Sequence, residues 1–185
     1  MITFTLMQKL KNKIKISGYN NKILLDDNKS LKMSKTKIVI KGSGNTLYIQ
    51  SGVKINGSFI EIVGNDCQIV IGKNSIIGDG CYISAKEENI RLIIGDECML
   101  SRNAKLMTSD GHPILQDGKI INGAKNITLK DKVWIADDVT ILKGVEIGAN
   151  SVVGIGSVVT KSIPNGSVAV GNPAKIVKEG INWEH

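Results

Sequence analysis

Aromatic residues make up only 4% of this 185-residue chain, which also holds just 3 cysteines, 3 prolines and 2 histidines. Each scarcity excludes something. Cys67, Cys81 and Cys98 are odd in number and show no CxxC spacing, so neither a zinc site nor a disulfide framework is indicated. With His112 and the terminal His185 as the whole histidine complement, a three-histidine catalytic zinc site is ruled out, and no metal is expected. No run of Lys and Arg exceeds a few residues and no aromatic-and-basic motif is present, which argues against nucleic acid as a partner. No apolar stretch approaches the length of an integral membrane segment. Met1 to Met7 are apolar but too few for a signal-peptide core, and lysines follow rather than precede them. The expected location is cytoplasmic.

What is present is a globular composition, 42% hydrophobic and 22% charged, long enough for one domain with its own core. There are 20 glycines, and about one residue in six is Ile, well above average usage. Such a core is built from β-branched aliphatics and small residues. The formal charge of +7 admits an anionic partner or a phosphate-bearing cofactor without choosing between them.

A repeat decides the architecture. Stepping by six from Leu129 gives Ile135, Ile141, Ile147, Val153 and Val159, all aliphatic. The same phase recurs upstream at Ile71-Gly72, Ile77-Gly78, Ile94-Gly95 and Leu100-Ser101. Cys67, Cys81 and Cys98 fall at the fifth place of their hexads, where a small side chain fits an inside corner, and are read as core packing. A period of six fits neither a helix nor an alternating strand, but it fits short strands broken by turns. Stacked coils of this kind form an all-β parallel solenoid with an aliphatic interior. Residues 1–35 show no period, and Ile40 to Ile62 carry only degraded coils.

These hexads, clear from Ile69 to about Lys178, resemble the hexapeptide-repeat acyltransferases. The resemblance implies a left-handed parallel β-helix, an exception to the right-handed rule for crossovers. It assigns residues 1–178 to a single β-helix domain, with 1–35 poorly defined, 107–128 a projecting active-site loop, and 179–185 a C-terminal tail beyond a short cap. The period lapses between Leu106 and Leu129, and the excursion turns at Asp117-Gly118 and rejoins near Asn126. Within it, Ser109-Asp110-Gly111-His112-Pro113 resembles the catalytic loop of the polysaccharide and sugar O-acetyltransferases of this family.

Moving an acetyl group from a thioester to a sugar hydroxyl requires a base for the hydroxyl proton, a task suited to an imidazole titrating near neutrality. By resemblance His112 is that base. Asp110 is placed either to orient its ring or to shape the turn. The tetrahedral oxyanion needs a donor, which backbone N–H groups or a polar side chain can supply. Where related maltose- and galactoside-type enzymes carry Asn, this chain has Ser84. Trp134 occupies an outward position suited to lining an acyl or pantetheine channel or to an oligomer contact. The family often has His and Gly where this chain has Lys132 and Ala136. The resemblance extends the coenzyme A contacts to Ala136, Gly154, Ile155, Thr160, Lys161 and Pro173, with Lys175 and Lys178 near the adenosine phosphates, where Lys acts as a point charge.

The implied activity is acetyl-CoA-dependent O-acetylation of a bacterial surface carbohydrate or its precursor, by a homotrimer with active sites between subunits. N-acetylation of an amino sugar would use the same base and cofactor. A non-enzymatic structural or binding solenoid is the alternative from another class.

Overall fold

The computed structural model describes residues 11–27 and 29–184; the segment Met1 to Met7 and His185 lie outside them. The chain winds into three parallel sheets that form the faces of a prism. The first face carries Lys13–Ser17, Lys37–Lys41, Phe59–Asn65, Tyr82–Glu88, Lys105–Met107, Thr140–Leu142 and Val158–Val159. The second runs from Lys22–Leu25 to Glu146–Ile147, and the third from Lys32–Ser34 to Val168–Gly171. Ala174–Lys178 then folds back antiparallel on Val168–Gly171, an extended cap. No helix among the described residues is long and apolar enough to cross a membrane.

Register stacks like on like. On the first face Ile38, Ile60, Ile83, Leu106, Ile141 and Val159 are successive partners, and all are buried. Ile55, Ile77, Leu100, Ile135 and Val153 form the corresponding column of the third face. Outward positions on the same strands alternate with these, the two-residue period of a strand. Cys67, Cys81 and Cys98 are buried in the core, and their thiols donate to the carbonyls of Glu87, Ser101 and Lys130.

The coils come in two gauges. Lys13 pairs with Lys37, Lys37 with Phe59, Phe59 with Tyr82 and Tyr82 with Lys105, so the lower turns take 24, 22, 23 and 23 residues. The step from Lys105 to Thr140 takes 35 and contains the insertion, and Thr140 to Val158 takes 18, three hexads. The extra residues of the lower turns widen the corner between the first and second faces. There a column of glycines supports each following turn: a Cβ on Gly18 would lie 1.9 Å from Gly42 O, one on Gly42 1.9 Å from Gly64 O, and one on Gly64 1.7 Å from Glu87 O. Residues 13–27 and 29–34, which show no sequence period, belong to the first of these wide coils.

Candidate active site

The insertion leaves the first face after Met107 and returns to the second at Ile127. The ladder between the strands Tyr82–Glu88 and Lys105–Met107 ends at the pair Ser84 and Met107. Thr108 replaces the missing rung: its N–H and hydroxyl both donate to Ser84 O, and its oxygen accepts Lys86 N–H at 3.1 Å. Beyond the stem, Leu115–Gln116 and Lys119–Ile120 form an antiparallel hairpin closed by Asp117 and Gly118, both with positive φ.

Glu87 clasps both sides of the stem. Its carboxylate accepts Ser109 Oγ–H at 2.7 Å on the outgoing side and Ala124 N–H at 2.9 Å on the returning side. Ser109 Oγ in turn accepts Gly111 N–H at 3.0 Å, one residue before His112. A second clasp centres on Asn122, whose side chain donates to His112 O at 2.9 Å and to Asp110 Oδ2 at 2.8 Å, and accepts Ile114 N–H at 2.6 Å. Lys143, from the next coil, reaches Asp110 Oδ2 at 2.6 Å and also donates to Asn122 O. Lys143, then Asn122, hold the Asp110 carboxyl below its ordinary range.

The backbone around His112 is thus fixed while its imidazole is exposed and makes no hydrogen bond among the described residues. Asp110 Oδ2 accepts from both Lys143 and Asn122, and among the described residues no hydrogen bond joins its carboxylate to the imidazole. Ser84 is 3% exposed, and among the described residues its hydroxyl has no hydrogen-bond partner.

The residues assigned to the cofactor do not form one cluster within the chain. Trp134 lies half-buried on the third face and donates from Nε1 to Ser101 Oγ at 3.2 Å. Ala136 and Gly154 stack at the corner between the third and first faces, where Ala136 N–H donates to Val153 O and Gly154 N–H to Ala169 O. Ile155 beside them is 71% exposed. Pro173 begins the turn into the cap strand that carries Lys175 and Lys178, both exposed. Thr160 and Lys161 lie exposed beyond the last first-face strand. Within one chain, therefore, the His112 loop and the Trp134–Gly154 edge occupy different corners of the prism. Among the described residues no group of His, Cys, Asp and Glu is arranged to hold a metal ion.

No protein-family model matches the chain. It is 37% identical over 137 residues to the polysialic acid O-acetyltransferase of Escherichia coli O1:K1, covering 73% of this chain and 43% of that protein. The crystal structure of the polySia-specific acetyltransferase NeuO superposes with a TM-score of 0.84 at 37% identity, covering 94% of this chain and 73% of that one. That of the polysialic acid O-acetyltransferase OatWY gives 0.74 at 31% identity, covering 93% and 91%. The chain belongs to the hexapeptide-repeat acetyltransferases. Its fold is the left-handed parallel β-helix of that family. The chain spans about half the length of the curated relatives it matches, 43% to 59% of the first four.

In this acetyltransferase-family chain, sequence reasoning missed Glu87, Asn122, Lys143 and Trp183. Trp183 belongs to the segment read as a tail, yet its ring lies 5.9 Å from that of Trp134 and its Nε1 donates to Lys132 O at 2.7 Å. A signal for Trp183 existed, since it and Trp134 are the chain's only two tryptophans. The clasp residues had none, because Glu87 and Ala124 are 37 positions apart and meet only once the coil is wound.

Proposed function

We propose that this chain transfers the acetyl group of acetyl-CoA to a hydroxyl of an acidic surface carbohydrate, with His112 as general base. The carrying observation is the projecting loop whose backbone is clasped by Glu87, Asn122 and Lys143 while the imidazole of His112 has no hydrogen-bond partner among the described residues. His112 takes the proton of the acceptor hydroxyl as its oxygen attacks the thioester carbonyl. The tetrahedral intermediate collapses with loss of the thiolate of coenzyme A, and the imidazolium returns the proton to that sulfur. Ser84, buried and with no hydrogen-bond partner for its hydroxyl among the described residues, is the side-chain candidate for donating to the oxyanion. Trp134, Ala136, Gly154 and Ile155 line the acyl-donor edge and Pro173 extends it, Thr160 and Lys161 contact the cofactor from the far side of the first face, and Lys175 and Lys178 meet the phosphates.

Because the loop and the donor edge sit at different corners, a complete site needs a neighbouring copy to bring them together. A closed trimer does so three times over. Ile114, Leu115, Ile120 and Ile121, all exposed on the hairpin, offer that copy an apolar surface. The names of the relatives favour O-acetylation over N-acetylation.

The test is incubation of the purified protein with acetyl-CoA and polysialic acid, reading free thiol and acetylated polymer. His112→Ala is expected to retain coenzyme A affinity by calorimetry and to lose turnover by about 10²–10⁴-fold. Near-normal turnover would remove His112 from the mechanism, and no binding of acetyl-CoA at millimolar concentration would leave a structural solenoid.

A further inference from the structure

The positive charge of this protein is concentrated at one end. Residues 1–58 contain 11 lysines and 2 aspartates, a net charge of +9, whereas the remaining 13 cations and 15 carboxylates give −2. In the described part of this stretch, residues 11–27 and 29–58, 10 lysines and 2 aspartates lie in the wide coils that precede the active-site loop. Outward positions of the first face there are Lys13 and Lys15 on one strand and Lys37 and Lys41 on the next, with Lys13 in register with Lys37. Among the described residues none of these four makes a salt bridge.

The lysines border a groove rather than a flat surface. A cavity of about 360 Å³ is lined by Lys15, Lys37, Lys41, Phe59 and Glu61 among others, and a neighbouring one of about 460 Å³ shares Lys37 and adds Lys13. Its floor is aromatic: Lys37 Nζ lies 4.4 Å from the centroid of the Phe59 ring, which packs 5.4 Å from that of Tyr82. The acid in the groove is already committed. Glu61 accepts Tyr82 O–H at 2.6 Å and pairs with Lys86 at 3.0 Å. Burial pushes its carboxyl up, but these two partners outweigh that and hold it below its usual value.

The groove also points at the site. Lys15, Val39, Glu61, Ser84 and Met107 are successive register partners along one row of the first face. Met107 is the residue from which the loop departs. Four strand spacings of about 4.8 Å make the row about 19 Å long. Cations beside an aromatic floor suit a polymer of acidic sugars, whose carboxylates meet the lysines and whose apolar ring faces rest on Phe59.

We propose that this lysine-bordered groove on the first face is a subsite for an extended polyanionic carbohydrate, holding the acceptor chain at a distance from His112. The inference rests on the carbohydrate acetyltransferase reading but is tested without turnover. Polysialic acid is titrated into the full chain by calorimetry at low and at physiological salt, with dextran as the neutral polymer. Expected are binding of polysialic acid alone, weakening with salt, and loss of about tenfold or more in affinity for the triple variant Lys15→Ser, Lys37→Ser, Lys41→Ser. The double variant Lys32→Ser, Lys54→Ser, which removes charge from the third face, is expected to bind as the wild type does. Equal loss in both variants would reduce the effect to net charge and overturn the assignment. So would absence of polymer binding, or equal binding of single-stranded DNA of matched charge. Failure of the acetyltransferase reading appears separately, as polymer binding without thiol release.

Discussion

Glu87 is the fourth member of the column that begins with Gly18, Gly42 and Gly64, and it is the one that is not glycine. Its φ of 81° lies in the left-handed region, which costs a side-chain-bearing residue about 1–2 kcal/mol. In return its carboxylate clasps Ser109 and Ala124. Hydrogen bonds to a charged group contribute about 1.5–3 kcal/mol when well buried, and less at this exposed position. Replacing Glu87 by Gly removes strain and clasp together, so the two nearly cancel in global stability. At about 2–4 °C per kcal/mol for a chain of this size, Tm should move by no more than a few degrees. The loop, however, is released. Displacement of a catalytic group by about 1 Å can cost about a hundredfold in rate, so turnover by Glu87→Gly should fall about 10–100-fold with coenzyme A affinity unchanged. Glu87→Gln, which keeps one acceptor and the strain, should lie between. Hydrogen exchange at Gly111 and Ala124 reports the same release without catalysis. Full turnover with unaltered exchange at these amides would refute the reasoning, and so would a collapse in Tm, which would make Glu87 a fold-holding residue.

Lys143→Met tests the second clasp: the depressed pKa of Asp110 stabilises the loop above the ordinary carboxylate pKa of about 3.9, and that support is lost as pH falls through the folded value. An NMR titration of the Asp110 carboxyl should show its midpoint rising in the variant; an unchanged midpoint would mean that the ion pair is not formed in solution. Burial raises the thiol pKa of Cys81 to about 11 and that of Cys98 to about 12, so a thiol-reactive disulfide at pH 8 should leave both unmodified until the chain unfolds. The same shifts make stability fall as pH rises above about 8.5, where only the unfolded thiols ionise, and stoichiometric labelling of the native protein would contradict both statements.

The aliphatic ladder is legible wherever hexads run on unbroken, from the second face to the third in the wide coils, as at Ile71 and Ile77, and all the way round in the narrow ones. From Thr140 onward a turn is 18 residues, so a step of six remains in phase from one turn to the next. Below, the widened corner adds residues once per turn and resets the phase, which hid the coil of Lys13–Ser34 although Ile23, Leu25 and Met33 pair in register with Leu47, Ile49 and Ile55. The loop was visible as a lapse of the period and its hairpin as Asp117-Gly118. Its supports were not. Asn122, Lys143 and Glu87 are ordinary surface residue types, and only three-dimensional winding brings them to the backbone of His112. Asp110 shows the limit from the other side: its two-residue spacing from His112 is compatible with ring orientation or turn formation, and nothing in the sequence points to Lys143, a coil away, as its ion-pair partner.

The insertion stands where the two coil gauges meet, and this accounts for its position. Below it, side chains of the next turn accept N–H groups of each wide corner: Ser43 Oγ accepts Tyr19 N–H and Asn65 Oδ1 accepts Ser43 N–H. Above it the coils are narrow and supply no such cover. The corner around Lys86 to Arg91 would end as an open edge, with N–H groups facing nothing of the chain. The stem of the loop fills that role: Thr108 Oγ1 accepts Lys86 N–H, and Asn126 Oδ1 accepts Arg91 N–H at 2.8 Å. Asn126 O then accepts Gly144 N–H at 2.9 Å, joining the stem to the first narrow turn. A segment needed to close the change of gauge is anchored at both ends for structural reasons. A histidine on its outgoing stem therefore acquires a fixed backbone with an exposed ring, which is the combination a general base on a loop requires.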